Sequence, residues 1–181
     1  MNFNNSNHLL VDINNADIND RKQSRLFYGT QSAGNLFKRN ESSFKALELG
    51  LKEAISKYYD LYKNEDCEFI KSFPKQIEFS SSWFVKMQSG GHLTSHIHED
   101  GWISGAIYLS IPKKTKTQDE GAIELSTHGD DYPIINDDFP KKVIKPKEGD
   151  VIFFPSSVFH RTIPFESDEE RICIAFDLKP S

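Results

Sequence analysis

From residue 77 onward the chain is a succession of short β-like runs broken by turn signals. The runs are residues 79–88, 102–111, 122–126, 143–144, 151–154 and 171–178. Between them stand Gly90-Gly91, Pro112-Lys113-Lys114, Gly129-Asp130-Asp131, residues 146–149 with Pro146 and Gly149, and residues 164–168. Gly and Pro interrupt a ladder, and Asp tolerates the tight backbone of a turn. Many short strands at near-regular spacing predict an all-β sandwich or barrel.

One earlier segment has a different period. Phe44, Leu47, Leu51, Ile55, Tyr58 and Tyr62 follow one another at steps of three or four, which is one face of a helix over residues 42–63. In a chain of 181 residues the simplest use of that face is to cover a sheet. That length is one domain's worth, and the chain is read as a single domain, 1–181, with a β core over 77–180. Residues 1 to about 25 are crowded with Asn, Asp and Ser and read as an irregular or extended lead. The start, residues 1–7, has neither the basic nor the apolar region of a secretory signal. No apolar run of about 18 residues exists to cross a membrane. Only Cys67 and Cys173 are present, too few for a disulfide framework or a thiol-built metal site, which points to a reducing cytoplasm. A net charge of −5 argues against non-specific binding to nucleic acid. No repeat, GxSxG or GxxxxGK motif occurs.

Of six histidines, three fall within residues 92–98. In extended chain His96 and His98 project to the same side, where two imidazoles can share a first-row metal ion. His160 follows the apolar run 151–154, placed to be a third ligand. Residues 171–178 alternate cleanly. Ile172, Ile174, Phe176 and Leu178 form an apolar face; Arg171, Cys173, Ala175 and Asp177 form the other. Small residues beside an arginine leave room for an anionic small molecule, whose carboxylate the guanidinium fork would match. In residues 102–111, Trp102, Ser104, Ala106, Tyr108 and Ser110 share a small, polar face that suits a pocket wall. Tyr108 could donate its hydroxyl to a bound carboxylate.

Together these pieces resemble the 2-oxoglutarate/Fe(II) dioxygenases, and most closely a small group of oxygenases with an H-x-H motif. The matching pieces are Gly90-Gly91, Ser95-His96-Ile97-His98, Ile103 to Leu109, Pro146 with residues 149–156, His160, and Arg171 to Phe176. They span about residues 77 to 180 in one order. The resemblance implies a double-stranded β-helix, or jelly roll, in a mostly β (α+β) chain with the N-terminal helix packed on one face. It implies Fe(II), 2-oxoglutarate and O2 as cofactor and cosubstrates, and hydroxylation of a substrate the motifs do not name. Carried over, His96 and His160 are metal ligands, Arg171 holds the distal carboxylate of 2-oxoglutarate, and Tyr108 and Ser104 assist. The wider superfamily has H-x-D or H-x-E. Here that position is His98, with Asp100 as the alternative if the frame shifts. Aromatic residues, Phe153, Phe154 and Phe176 among the 14 Phe, would wall the pocket. Three other readings compete. A cupin-like metal barrel also begins Gly-x5-His-x-His, but expects Glu where Trp102 and Ile103 stand. A non-catalytic jelly-roll binding protein, or a three-His zinc hydrolase or lyase, would have no need of Arg171 in its lumen.

Overall fold

The computed structural model describes residues 6–135 and 138–181. Nine strands and three α-helices are assigned among them. The strands are β1 (Asp20–Arg21), β2 (Leu26–Ser32), β3 (Ile77–Leu93), β4 (Ile103–Ser110), β5 (Ile123–Ser126), β6 (Lys141–Ile144), β7 (Val151–Pro155), β8 (Phe159–Thr162) and β9 (Arg171–Pro180). The helices are α1 (Ser6–Asn15), α2 (Ser42–Tyr62) and the single turn α3 (Glu68–Lys71). A six-stranded sheet runs β1-β2-β3-β9-β4-β7 and a three-stranded sheet runs β6-β5-β8, with every pairing antiparallel. This is the all-β layering that the strand spacing predicts, in the form of the jelly roll that the resemblance implies.

The large sheet has two differently used faces. Residues Ile103, Ile107 and Leu109 of β4 and Ile172, Ile174, Phe176 and Leu178 of β9 join Phe44, Leu47, Leu51 and Ile55 of α2 in one buried cluster. The helical stripe thus covers a sheet. Its last members leave the core: Tyr58 packs edge-on against Phe153 at 5.0 Å, and Tyr62 is exposed. The opposite face, with Val85, Met87, Tyr108 and Cys173, looks toward the small sheet. Period-two alternation therefore sorts the residues of β4 and β9 correctly between helix side and inner side.

Three expectations are corrected. The lead is not irregular throughout, because α1 occupies Ser6–Asn15; residues 1–5 of that lead lie outside the described residues. Asn and Asp are poor helix formers, so local propensity hides this helix. It is held by burial of Leu9 and Ile13 in the cluster under α2, and by the Ser43 hydroxyl donating to Asp12. Phe153 and Phe176 face the helices, leaving Phe154 as the wall residue of the three. Trp102 precedes β4 and stacks on Phe69 at 5.6 Å on the helix side, so it is not part of the inner face.

Gly105 shows how tightly β4 is clamped between β7 and β9. A Cβ there would stand 2.6 Å from the Ile152 carbonyl oxygen and 2.7 Å from the Phe176 ring. Both are held in the sheet or core and cannot retreat. Gly105→Ala is expected to destabilise the protein by about 1–3 kcal/mol through overpacking, measured as a lower midpoint in chemical denaturation.

Candidate metal centre and its pocket

The two sheets meet at a short bridge that assembles the site. The His96 N–H donates to the His160 carbonyl at 3.1 Å, and the His160 N–H returns the bond to His96 at 2.9 Å. Directly opposed residues in an antiparallel pair point to the same face. The two imidazoles are therefore neighbours, with centroids 4.2 Å apart. His98 lies two residues on in extended chain, its N–H held by the Ser156 carbonyl at 3.1 Å, and its ring is 5.2 Å from His96 and 4.9 Å from His160. One ring nitrogen from each of the three lies within 4.8 Å of the other two. His160 sits inside β8, a strand too short to stand out in the sequence.

The ring hydrogen bonds decide which nitrogens converge. His96 Nδ1 faces the Thr94 carbonyl at 2.7 Å, His160 Nδ1 faces the Val158 carbonyl at 3.3 Å, and His98 Nδ1 faces the Asp177 carboxylate at 2.6 Å. Each Nδ1 is thus occupied as a donor, and each Nε2 keeps a lone pair. Burial pushes the His96 imidazole down to about 4, and burial, followed by the neighbouring His96, holds His160 well below its ordinary value. Both rings are neutral at physiological pH, the state that binds metal. Three clustered imidazoles, each with its Nδ1 already engaged, fit a first-row divalent ion bound through Nε2 with open positions left. Asp100, the alternative ligand, is exposed in the turn after His98 and is not in the cluster.

A cavity between the sheets joins this triad to Arg171. Its walls include Ser104, Tyr108, Phe154, Cys173 and Ala175, so the inner faces of β4 and β9 line it as their alternation predicts. Arg171 opens β9 and is only 2% exposed. Its Nε donates to the Gly121 carbonyl at 3.0 Å, and its guanidinium carbon lies 5.0 Å from the centre of the Tyr108 ring. Among the described residues the hydrogen-bond partners of Nη1 are sulfurs, Met87 Sδ at 3.9 Å and Cys173 Sγ at 3.8 Å. Among the described residues no carboxylate lies within ion-pair distance of Arg171. A permanently charged group left without a counter-ion in a closed space costs several kcal/mol, and a carboxylate entering the cavity would offset that cost. Burial pushes the Tyr108 phenol up to about 12, so it stays a donor.

A family model described as "Putative 2OG-Fe(II) oxygenase" matches residues 81–177, more than half of the chain. The chain belongs to this family. It is an Fe(II)- and 2-oxoglutarate-dependent oxygenase, using O2 as its oxidant. No curated protein matches the oxygenase by sequence. Solved structures resemble it in fold. A prolyl-4-hydroxylase from Pseudomonas putida is 12% identical with a TM-score of 0.62, covering 97% of this chain and 86% of its own. HygX from Streptomyces hygroscopicus, solved with nickel, 2-oxoglutarate and hygromycin B, is 10% identical with a TM-score of 0.63, covering 100% and 80%. The viral collagen prolyl hydroxylase of Paramecium Bursaria Chlorella virus-1, solved with 2-oxoglutarate, is 14% identical with a TM-score of 0.59, covering 97% and 90%. At such identities the common feature is the fold.

Several residues of the oxygenase's site escape sequence reasoning. Trp83 on β3 and Gln31 on β2 line the cavity, as does Arg161, whose Nε and Nη2 make a paired contact with Glu124 at 2.8 and 2.9 Å. Only strand pairing brings these elements to the triad. Asp177 is visible in the sequence as a member of the Arg171 face, but its partner lies 79 residues away. His92 stacks on Phe27 and His128 on Phe139, and neither joins the cluster. Cys173 is buried, and burial pushes its thiol up, whereas Cys67 is exposed. A thiol reagent at mildly alkaline pH is therefore expected to titrate one cysteine in the native protein and two after denaturation.

Proposed function

We propose that His96, His98 and His160 hold Fe(II) through Nε2, that Arg171 binds the distal carboxylate of 2-oxoglutarate, and that the enzyme hydroxylates its substrate. The observation that carries this reading is one cavity with three clustered imidazoles at one end and, at the other, a buried arginine that has no carboxylate partner among the described residues. The metal, with 2-oxoglutarate and O2, supplies the redox chemistry: the keto acid leaves as succinate and CO2, and the substrate C–H becomes C–OH. The protein's own residues do the rest. Arg171 and the Tyr108 hydroxyl anchor and orient the dianion. Phe154, 4.7 Å from the His160 ring, and Trp83, 5.7 Å from the His98 ring, keep the centre dry.

The substrate enters from the other side of the triad. A more open cleft of about 300 Å³ shares His96 and His98 with the cavity but not Arg171, and carries Arg21, Arg25, Trp83 and Asp177. Arg25 braces its rim through a paired contact with Asp130 at 2.9 and 2.8 Å. Among the described residues no helix is long and apolar enough to cross a membrane. Two free thiols agree with work in a reducing cytoplasm, and the net charge of −5 offers no general attraction for nucleic acid. The test is anaerobic addition of Fe(II) and 2-oxoglutarate to the wild-type protein. A visible charge-transfer band, followed by succinate release on admitting air, is expected; no band overturns the reading.

A further inference from the structure

The carboxylate absent from the H-x-H motif stands directly behind it. Asp177, on β9, faces the triad with its side chain only 13% exposed. Its Oδ1 accepts from His98 Nδ1 at 2.6 Å and from the Ser104 hydroxyl at 2.6 Å; its Oδ2 accepts from the Ser81 hydroxyl at 2.9 Å. Ser104 also lies 3.1 Å from His98 Nδ1 and 2.8 Å from the Ser156 hydroxyl. Three donors from β3, β4 and the His98 segment thus converge on one carboxylate. The other two imidazoles are treated differently: His96 and His160 give their Nδ1 bonds to neutral backbone carbonyls. Among the described residues no Lys or Arg forms an ion pair with Asp177.

Resting on the reading that the triad binds Fe(II), we propose that Asp177 is the positioning residue that lets His98 take the place of the usual carboxylate ligand. By holding the Nδ1 proton it fixes the tautomer whose Nε2 lone pair faces the metal. By its charge it makes His98 the strongest donor of the three, and returns to the outer layer the negative unit that a third imidazole removes from the inner one. Ser81 and Ser104 hold the carboxylate in place by donating to its two oxygens. Ser104, which also lines the cavity, is therefore a support of Asp177 as well.

The test is a four-protein cycle: wild type, D177N, H98D and H98D/D177N, each titrated with Co(II) as an optical probe. The amide introduced by D177N has the size of the carboxylate and an oxygen that can still accept from His98, so the change removes mainly charge. D177N is expected to weaken Co(II) binding roughly 10- to 100-fold, with the melting point of the metal-free protein little changed. In the H98D background the sign reverses. There two carboxylates stand together, so adding D177N relieves repulsion and tightens Co(II) binding. A purely structural Asp177 would give loss in both backgrounds, and that result overturns the proposal. Unchanged affinity in D177N also overturns it. Asp100→Asn is expected to bind Co(II) like wild type; a comparable loss there overturns it by making Asp100 the carboxylate of the site. Failure of the wild type itself to bind Co(II) would instead overturn the assignment of the three histidines as a metal site. Should D177N not fold, ¹⁵N NMR of the Zn(II)-loaded wild type decides. His98 is expected to be protonated at Nδ1, with that proton further downfield than those of His96 and His160. Protonation at Nε2 overturns the proposal.

Discussion

A His160→Ala protein is expected to lose Fe(II) binding by more than about 100-fold, and with it the charge-transfer band and all succinate formation. Outer hydrogen-bond partners of metal-binding histidines are worth roughly 10- to 100-fold in affinity, so a missing ligand must cost more. The fold should survive. The bridge that joins the sheets here is made by backbone groups of His96 and His160, which alanine keeps. The lost ring makes one long bond, to the Val158 carbonyl at 3.3 Å, and a contact with Phe154. The measurements are anaerobic metal titration and a melting curve on the same sample. A band that persists in the variant removes His160 from the ligand set.

Arg171→Met is expected to separate function from stability. Truncating one member of a buried, hydrogen-bonded charge pair costs about 2–5 kcal/mol of binding, or roughly 30- to 5,000-fold in Kd. The Kd for 2-oxoglutarate should rise by that factor. The metal-free, ligand-free protein should become no less stable, because a buried guanidinium with one oxygen acceptor is replaced by an apolar chain of similar length. Preference for 2-oxoglutarate over pyruvate, which lacks the distal carboxylate, should shrink together with affinity. Calorimetry with both keto acids and thermal melts check the two signs. Unchanged 2-oxoglutarate affinity would place the carboxylate grip elsewhere in the cavity. Arg171→Lys should recover only part of the loss, since an ammonium lacks the planar fork.

Local pattern carried much of this molecule. The alternation in β9 sorts Arg171, Cys173 and Ala175 from Ile172, Ile174 and Phe176 without reference to a partner strand, because side chains of a strand alternate whatever surrounds it. The stripe from Phe44 to Ile55 likewise announced a helix with one covered face. The H-x-H spacing put two imidazoles together without reference to the rest of the fold. What alternation cannot say is what lies opposite each face. Phe153 was legible as a strand residue, yet whether it met the pocket or Tyr58 of α2 depended on packing. Helix α1 shows the converse: its Asn- and Asp-rich segment has little intrinsic reason to be helical, and burial of Leu9 and Ile13 makes it so.

Sequence alone therefore determined the strand-rich architecture, the inner face of β9, and the candidates His96, His98, His160 and Arg171. Tertiary structure alone decided that Asp100 stays in solvent, that Ser104 turns to Asp177, and that Asp177 reaches His98 across 79 residues of chain. The reason is physical. Periodicity is a property of neighbouring residues, whereas a hydrogen bond between strands requires the register of β3, β9 and β4 to be set by the whole sheet.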